Sequence, residues 1–560
     1  MANNQENQNF YTLFENLSNE LFIEILSYLN TSDAFIAFFN INYRIQCLIF
    51  EYCHSFDFTE ITITKFDIIF QYHDTNRWHS LKLSDDENKT PGQIKYFFEK
   101  NSFNNHYSQL QSLSITKIKS INQYVLLSQL PFLTNLVTLQ IEPICGHHIS
   151  EFYLPNLKKL IFSSCANTDW IKNFSQIETI EYTIIDDCQL EDKIIIWPKT
   201  LKYLKIIFIH NQDCLLIQQS LTQLSQLIVL EIYQKEKGTT LPHGQIWEQI
   251  IFSSLPLLKS FKFFFQFLYS NRQLNQFKQV VSSFSTPFYI FEKNCFISYD
   301  TSAHYDLYDS RYRYQKFGII YTIPFSFDTF IIFKTVSETS FSDWSKNNIH
   351  HLRMNTHTKN IKTLVFKSDV KPNQDFIGNN IINLIIYKSF ESVLDWIHVL
   401  TKLQHITFDD YAVLSMESFN ILLNKIPYLC SLTAKKSIMK SLTDNWTDIC
   451  ICNHLSRKIR SLTFQTSNYS EQERFNQNEL EKILPIFSSK CQHLSLGIRS
   501  RNNAIKFILE KMFYLVSLHI HIQQGNSPIT IEWLKQQHTQ FNHSNCIIIN
   551  DKQDHYLWLG

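Results

Sequence analysis

Glycine is scarce in this sequence, with only 9 among 560 residues. Loops that hold phosphate groups or dinucleotides need glycine, because a residue without Cβ lets the backbone approach the ligand closely. The motifs Gly-x-x-x-x-Gly-Lys, Gly-x-Ser-x-Gly and His-Glu-x-x-His are also missing. We therefore expect no catalytic residues and no cofactor. An enzyme with dispersed catalytic residues is the alternative that missing motifs leave open.

An excess of charge of either sign is missing as well, since lysine plus arginine and aspartate plus glutamate number 51 each. Such a balance argues against nucleic acid or an anionic membrane as the main partner. The opening residues 1–9 lack the order of a signal peptide, and no segment reaches the about 20 apolar residues of a membrane span. We expect a cytoplasmic or nuclear protein.

The 12 cysteines are scattered and form no disulfide framework, so we expect reduced, mostly buried thiols. Three groups combine the residue types that zinc prefers: Cys145 with His147 and His148, Cys450 with Cys452 and His454, and His350 with His351 and His357. None has a second ligand pair at zinc-finger spacing. We predict no metal site.

Three pairs of adjacent aspartates could combine carboxylates: Asp85 with Asp86, Asp186 with Asp187, and Asp409 with Asp410. Adjacent residues on a strand point to opposite faces, so such a pair cannot share one site on a strand. We predict that these pairs are solvated turn residues.

Residues 17–50 have the apolar spacing of three short helices. Ser18 is a plausible N-cap, and Leu21, Phe22, Ile25, Leu26 and Leu29 follow at helical spacing. Thr31 or Ser32 can cap a second helix, and Ile41, Ile45, Leu48 and Ile49 supply the stripe of a third. So small a unit buries little apolar surface, which favours contact with a partner chain.

The segment NLSNELFIEILSYLNTSDAFIAFFNINYRIQCLI resembles the F-box family. The residues that match its pattern are Leu17, Glu20, Leu21, Ile25, Leu29, Asp33 and Arg44. The resemblance implies a helical trio that binds a Skp1-type adaptor, and through it a cullin scaffold, by Leu17, Leu21, Phe22, Ile25 and Leu29. Two residues depart from the pattern: Ser18 replaces the usual proline, and Ile45 lies near the usual tryptophan. A plain three-helix cap on a repeat array is the alternative.

A Leu-x-x-Leu-x-Ile unit recurs downstream, first between residues 110 and 263 and again between 361 and 520, with Trp78-Leu81-Leu83 as a possible first copy. Each unit alternates as a strand does, and intervening segments such as Tyr124–Leu130 and Phe419–Ile426 have helical spacing. The spacing is typical of leucine-rich repeats. We therefore predict an α/β chain in which the three-helix F-box precedes an irregular leucine-rich-repeat solenoid. Its turns should be ragged, because the usual asparagine or cysteine is mostly missing after the strand, with Cys165 the clearest occupant.

The Leu-x-x-Leu-x-Ile unit does not recur between about residues 271 and 355, where aromatic residues are frequent. Alternation predicts strands over Phe288–Ile297 and Phe317–Ile323 around a polar loop, Tyr299–Lys316, as a β-hairpin-like insertion. Tyr308 and Arg311 in this loop are of the types found at binding hot spots. The alternative is a loop that only covers a break in the repeats.

Strand alternation also predicts which side chains line the concave face of the solenoid. With the loop residues, the candidate substrate-binding residues are Glu142, Lys159, Glu181, Tyr203, Lys205, Tyr233, Tyr308, Arg311, His405, Lys435, His493 and His519. These residues mix acids and bases, which suits a protein partner better than a polyanion.

These observations predict a non-enzymatic substrate-recognition adaptor of an SCF-type (Skp1-cullin-F-box) ubiquitin ligase, which binds an unidentified protein substrate. The alternatives are a repeat protein without a ligase role and a receptor gated by a small molecule beneath the aromatic loop. The predicted organisation is a disordered tail (1–13), the F-box (14–56), a first repeat run (57–270), the insertion (271–355), a second run (356–535) and a C-terminal cap (536–560).

Overall fold

In the computed structural model, most of the chain after residue 16 is described. The described residues are 17–103, 105–144, 153–164, 169–184, 194–208, 213–234, 243–270, 274–293, 295–302, 315–323, 326–332, 361–366, 380–387, 394, 397–409, 412–465, 471–499, 501–522, 528–537, 546–551 and 553–559. The predicted tail, residues 1–13, lies outside them.

Three helices open the described chain: α1 (Asn19–Ser27), α2 (Thr31–Phe38) and α3 (Tyr43–Tyr52). Ser18 caps α1 as predicted, because its side chain accepts a hydrogen bond from the Leu21 backbone N–H. Asn30 caps α2, in place of the predicted Thr31 or Ser32. An amide oxygen one residue earlier satisfies the same free backbone donors.

Further helices alternate with strands along the rest of the chain. The helices are α4 (Ile63–Tyr72), α5 (Gln93–Lys100), α6 (Ser120–Gln129), α7 (Asp213–Ser220), α8 (Gly244–Ser254), α9 (Leu274–Ser283), α10 (Met416–Lys425), α11 (Lys436–Leu442), α12 (Ile449–Lys458), α13 (Gln477–Phe487), α14 (Arg501–Lys511) and α15 (Ile531–Gln537). The helices predicted around Tyr124 and Phe419 are confirmed as α6 and α10.

The strands form two sheets in the described part of the chain. The first sheet contains β1 (Ser55–Asp57), β2 (Ser80–Ser84), β3 (Ser112–Thr116), β4 (Thr138–Ile144), β5 (Lys159–Ser164), β6 (Thr179–Ile184), β7 (Tyr203–Phe208), β8 (Val229–Gln234), β9 (Ser260–Ser270), β10 (Phe296–Ser302) and β11 (Gln315–Ile323). The second sheet contains β12 (Thr329–Ile332), β13 (Thr363–Phe366), β14 (Asn383–Ile386), β15 (His405–Phe408), β16 (Ser431–Ala434), β17 (Ser461–Phe464), β18 (His493–Ile498), β19 (Ser517–Ile522), β20 (Cys546–Asp551) and β21 (Asp554–Leu559).

Both sheets are mostly parallel, and their strands follow one another in chain order. The first runs from β1 to β9 and then adds β11 and β10, whereas the second runs from β12 to β19 and then adds β21 and β20. The pairs β9–β11, β10–β11, β19–β21 and β20–β21 are antiparallel. The chain is therefore an α/β protein with two large sheets, and helices precede the first.

The register of each parallel pair is fixed at the same position of the repeated unit. Leu81 pairs with Leu113 and Leu204 with Leu230 in the first sheet, and Leu432 pairs with Leu462 in the second. These residues are at most 1% exposed. A shift of one residue would turn every such side chain to the opposite face, so burial of this row specifies the register.

Every predicted copy of the Leu-x-x-Leu-x-Ile unit falls on a strand, including the copy that begins at Trp78. Four strands were not predicted: β1, β12, and the pair β20 and β21 in the region predicted as a C-terminal cap. β1 follows the same spacing in Cys53-Phe56-Phe58, and β12 follows it in Phe327-Phe330-Ile332. Phenylalanine and cysteine replace leucine there, so a search for leucine does not find them.

The aromatic insertion contains an antiparallel pair, although its first strand differs from the prediction. β10 begins at Phe296, whereas Phe288–Glu292 forms a π-helical turn instead of the predicted strand. Pro287 cannot donate a backbone hydrogen bond, and here it immediately precedes that turn. β11 begins at Gln315 and joins β10 to the edge of β9.

Two apolar cores lie between sheets and helices. Most of the first core comes from residues before Ile320, yet it also includes Val516 and Trp558. The second core begins with Tyr233 and Phe264, which belong to strands of the first sheet. Each core thus takes side chains from both halves of the sequence. No helix in the described residues is long and apolar enough to span a membrane.

Replacing one buried leucine tests the register directly. Leu204→Ala removes a side chain with 0% exposure, and we expect a loss of about 2–5 kcal/mol in the free energy of unfolding. Lys205→Ala, at the next position on the opposite face, removes only a long ion pair with Glu181 and should change it by about 1 kcal/mol or less. Thermal unfolding midpoints of the two variants measure this difference. Equal shifts would contradict the register.

Candidate partner-binding surfaces

The helix α1 has an exposed apolar side. Leu21 is 51% exposed and Leu29, just after the helix, is 41% exposed, while Ile25 is half-buried. Leu21, Ile25 and Tyr28 follow at intervals of four and three residues, which places them on one side of a helix. Leu17, before the helix, is half-buried. Four of the five predicted adaptor-binding residues are therefore accessible.

The beginning of α3 extends this apolar side. The Arg44 guanidinium donates a hydrogen bond of 2.7 Å to the Leu17 carbonyl oxygen, so α3 begins beside the beginning of α1. Ile41 and Tyr43, which flank that junction, are 40% and 83% exposed. We call the set Leu21, Ile25, Tyr28, Leu29, Ile41 and Tyr43 the N-terminal apolar surface. Large apolar side chains grouped in this way are typical of an interaction site.

Phe22 belongs to the core rather than to this surface, which corrects its predicted role. It is 0% exposed and packs edge-on against Phe38 with ring centroids 5.1 Å apart. Phe22 and Leu26 lie four residues apart on the inner side of α1. A partner cannot contact Phe22 in this conformation.

On the first sheet, the predicted recognition residues form cross-strand ion pairs. Glu181 on β6 forms ion pairs with both neighbouring strands: the Lys159 ammonium lies 2.8 Å and the Lys205 ammonium 3.8 Å from its carboxylate. These residues share the polar face of the first sheet with Glu142, which accepts a hydrogen bond from Gln140. The acids and bases on this face thus pair with each other across strands.

The same face continues toward β9 with a second carboxylate. The Tyr203 hydroxyl donates a 2.9 Å hydrogen bond to Glu231, and the Lys262 ammonium lies 3.1 Å from the other oxygen. Burial and the neighbouring Glu231 charge raise the pKa of Tyr203 well above its usual range, so its hydroxyl stays protonated.

Tyr233 is not available as a recognition residue. It is 6% exposed, stacks on Phe264 at 4.8 Å, and meets Phe327 at 5.0 Å. Phe327 lies two residues before β12, so the polar face of the first sheet ends where the second core begins. The predicted role of Tyr233 on an open face is therefore wrong.

The polar face of the second sheet is partly covered by the same chain. His405 is half-buried and His493 is 6% exposed, and the charges of Glu60 and Lys89 act on both imidazoles. Burial, together with the Lys89 charge, lowers the pKa of His493 to about 4. His493 is therefore a neutral, covered side chain at neutral pH. Lys435, directly after β16, is half-buried.

Histidines at the end of this sheet are joined to the C-terminal strands. His519 Nε2 and His521 Nδ1 lie 3.0 Å and 2.8 Å from the Asp554 carboxylate. Burial alone would raise the pKa of Asp554, but these two hydrogen bonds and the imidazole charges hold it well below its usual range. The Ser495 hydroxyl lies 2.8 Å from His519 Nδ1, so Ser495, His519 and Asp554 are joined by hydrogen bonds in that order. Ser495 is only 5% exposed, so a substrate carbonyl cannot reach its hydroxyl in this conformation.

Asp85 is a buried anchor rather than the predicted solvated turn residue. Its carboxylate is 1% exposed, accepts a 2.8 Å hydrogen bond from the Ile94 backbone N–H near the start of α5, and accepts another from Asn122. Burial raises the pKa of Asp85 to about 6 despite these hydrogen bonds. Its role is to fix α5 against β2.

The residue groups considered for metal binding are not brought together where the structure describes them. Cys450 is exposed on α12, and Cys452 lies two residues along the same helix. Within the described ranges, no group of three or more His, Cys, Asp or Glu side chains could hold a metal ion. Several predicted residues fall outside the described part of the chain: Cys145, His147, His148, Cys165, Asp186, Asp187, Tyr308, Arg311, His350, His351, His357 and Asp410.

No protein-family profile matches this chain, and no curated protein sequence matches it. The resemblance of α1 to α3 to the F-box family therefore rests on their own residues.

Sequence reasoning missed the residues that cover the second sheet. Glu60 and Lys89 form an ion pair between segments 29 residues apart. Their charges act on His405 and His493, more than 300 positions later in the chain. No local pattern predicts a contact over such a separation.

The buried state of His493 predicts a pH dependence. The imidazole of His493 binds a proton near pH 6.5 in the unfolded chain but only near pH 4 in the folded chain, so its contribution to stability is constant above 6.5 and falls between 6.5 and 4. From pH 7 to pH 5 the parent should lose about 2 kcal/mol more than His493→Gln. Urea unfolding of both proteins at the two pH values measures this difference. Identical losses would contradict the buried neutral state.

Proposed function

We propose that this chain is a substrate-recognition adaptor of an SCF-type ubiquitin ligase. In this proposal α1 to α3 act as an F-box and bind a Skp1-type adaptor, which joins a cullin scaffold. The strands and helices that follow act as an irregular leucine-rich-repeat solenoid that holds a protein substrate. The chain performs no chemistry itself, because the ubiquitin-charged enzyme belongs to the complex.

The observation that carries the proposal is the exposure of the N-terminal apolar surface. Leu21 and Leu29 match the F-box pattern and remain 51% and 41% exposed, whereas Phe22 and Leu26 on the other side of α1 are buried. Burying an exposed leucine in an interface contributes roughly 1–2 kcal/mol. A surface of six such side chains supports a specific partner contact better than isolated exposed residues would.

The helices are attached firmly to the first sheet, as an adaptor-binding unit requires. The Ser32 hydroxyl donates a 3.2 Å hydrogen bond to the Asp57 carbonyl oxygen on β1. Phe35 packs against Phe56 with ring centroids 6.4 Å apart. A substrate held on the sheets would therefore keep a defined distance from the adaptor, and proximity raises its effective concentration near the transferring enzyme.

A repeat-based binding protein without a ligase role is the second candidate. Ser18 favours it, since the F-box pattern usually has proline at this position and here the serine side chain caps α1. Under that reading α1 to α3 shield the first strand from solvent. The two candidates differ in whether the N-terminal apolar surface binds a Skp1-type adaptor.

Charge placed on the N-terminal apolar surface tests the proposal. Leu21→Asp and Ile25→Asp should abolish co-purification with a Skp1-type adaptor, while the parent retains it. An aspartate buried without a partner costs about 3 kcal/mol or more, a loss of roughly a hundredfold in affinity. The measurement is the adaptor recovered with each purified protein.

Ile121→Asp is the matched control. Ile121 is 78% exposed on α6, so the same change adds charge to an exposed apolar site away from α1 to α3. It should retain the adaptor. Circular dichroism confirms that each variant is folded. A folded parent that fails to retain the adaptor, or equal loss in the Ile121→Asp variant, would remove the ligase role and leave the second candidate.

A further inference from the structure

Part of the polar face of the second sheet is covered by a segment that follows β2. The Ser517 hydroxyl on β19 donates a hydrogen bond to the Asn88 carbonyl oxygen, across 429 positions of the chain. Lys89, the next residue, pairs with Glu60, and the charges of both act on His405, Cys430 and His493. We call residues 86–89 the covering segment.

The C-terminal strands hold the neighbourhood of this segment in place. Trp558 on β21 is 0% exposed, and its indole N–H donates a 2.9 Å hydrogen bond to the Ile61 carbonyl oxygen. Its ring meets Phe66 and Tyr96 edge-on, at 5.8 Å and 6.1 Å. The last strand thus packs into the first core, between α4 and α5.

Close approach at Gly92 strengthens the same contact. A Cβ at this position would lie 2.8 Å from Ile549 Cδ1 and 3.0 Å from Ile547 Cγ2 on β20, so these side chains would have to shift. Gly92 also has φ of +77°, a conformation that favours glycine. Nearby, the Lys119 ammonium lies 5.2 Å from the centre of the Tyr556 ring.

We propose that β20 and β21 act as a latch that controls access to the polar face of the second sheet. Closed, the latch keeps the covering segment against His493 and Ser517. Open, it exposes that face to a protein partner, whose backbone carbonyl groups can accept from Ser517 as Asn88 does. The use of the face by a substrate rests on the proposed function, whereas the latch itself does not.

The position of these strands suits a part that opens. β20 is the edge strand of the second sheet, and its residues are half-buried or exposed. Within the sheet, β21 is fastened to β19 by an antiparallel ladder. Separation of Trp558 from Ile61 would leave that ladder intact, so β20 and β21 can move away from α4 and α5 without unpairing the sheet.

Thiol labelling of the full chain tests the latch without a partner. Cys430 precedes β16, is half-buried and is acted on by the charges of Glu60 and Lys89, whereas Cys450 is exposed and serves as an internal reference. Trp558→Ala should raise the labelling rate of Cys430 relative to Cys450 by about tenfold or more, because the loss of a buried tryptophan favours the open state. Peptide mass spectrometry gives the rate at each cysteine.

Trp247→Ala is the matched control, since Trp247 is also 0% exposed but packs on Phe261 and Phe265. It should leave the ratio of the two rates unchanged. If Trp558→Ala does not fold, Ser517→Ala is the test variant. It should raise the ratio of the Cys430 labelling rate to the Cys450 rate about threefold or more, because it removes the hydrogen bond to Asn88. An unchanged ratio in the folded variant, or an equal rise with Trp247→Ala, overturns the latch.

The latch and the ligase proposal fail separately. A rise in Cys430 labelling in a chain that never retains a Skp1-type adaptor would keep the latch and discard the ligase role. Retention of the adaptor with an unchanged labelling ratio would do the reverse.

Discussion

The parallel register of the strands is the constraint on which the rest of the structure depends. Each strand buries one row of side chains, and its neighbour pairs with it at the same position of the unit, as in Leu139 with Leu160 and Leu384 with Ile406. Once that row is buried, alternation decides what the opposite face carries. The register therefore places Glu181 directly opposite Lys205, with Lys159 on the same face two residues before the partner of Glu181 on β5.

Contacts between distant parts of the chain decide which of these faces a partner can reach. Acids and bases of the first sheet pair across strands, and part of the second sheet lies under residues 86–89. The N-terminal apolar surface differs, because Leu21, Tyr28 and Tyr43 remain at least half exposed. Apolar side chains left in water favour a partner more strongly than charges that already have a neighbour of opposite sign.

Much of this fold could be predicted because its signals are local. The spacing of Leu-x-x-Leu-x-Ile located the strands, and the apolar spacing after Ser18 located α1. Whether a single side chain is buried or exposed was less predictable. Leu21 and Phe22 are adjacent apolar residues in one helix, yet Leu21 is exposed and Phe22 is buried. The difference arises because α2 packs against the side of α1 that carries Phe22. Contacts such as that between Trp558 and Ile61 join segments 497 positions apart, and no pattern in either segment predicts them.

Hydrogen–deuterium exchange of the full chain, alone and with a purified Skp1-type adaptor, tests the central claim most directly. The claim is that this chain binds an adaptor through its first helices and keeps its sheets for another partner. It predicts slower exchange in residues 17–45 on addition of the adaptor, with unchanged exchange across β4 to β8. Unchanged exchange in residues 17–45, or protection confined to the sheets, would contradict it.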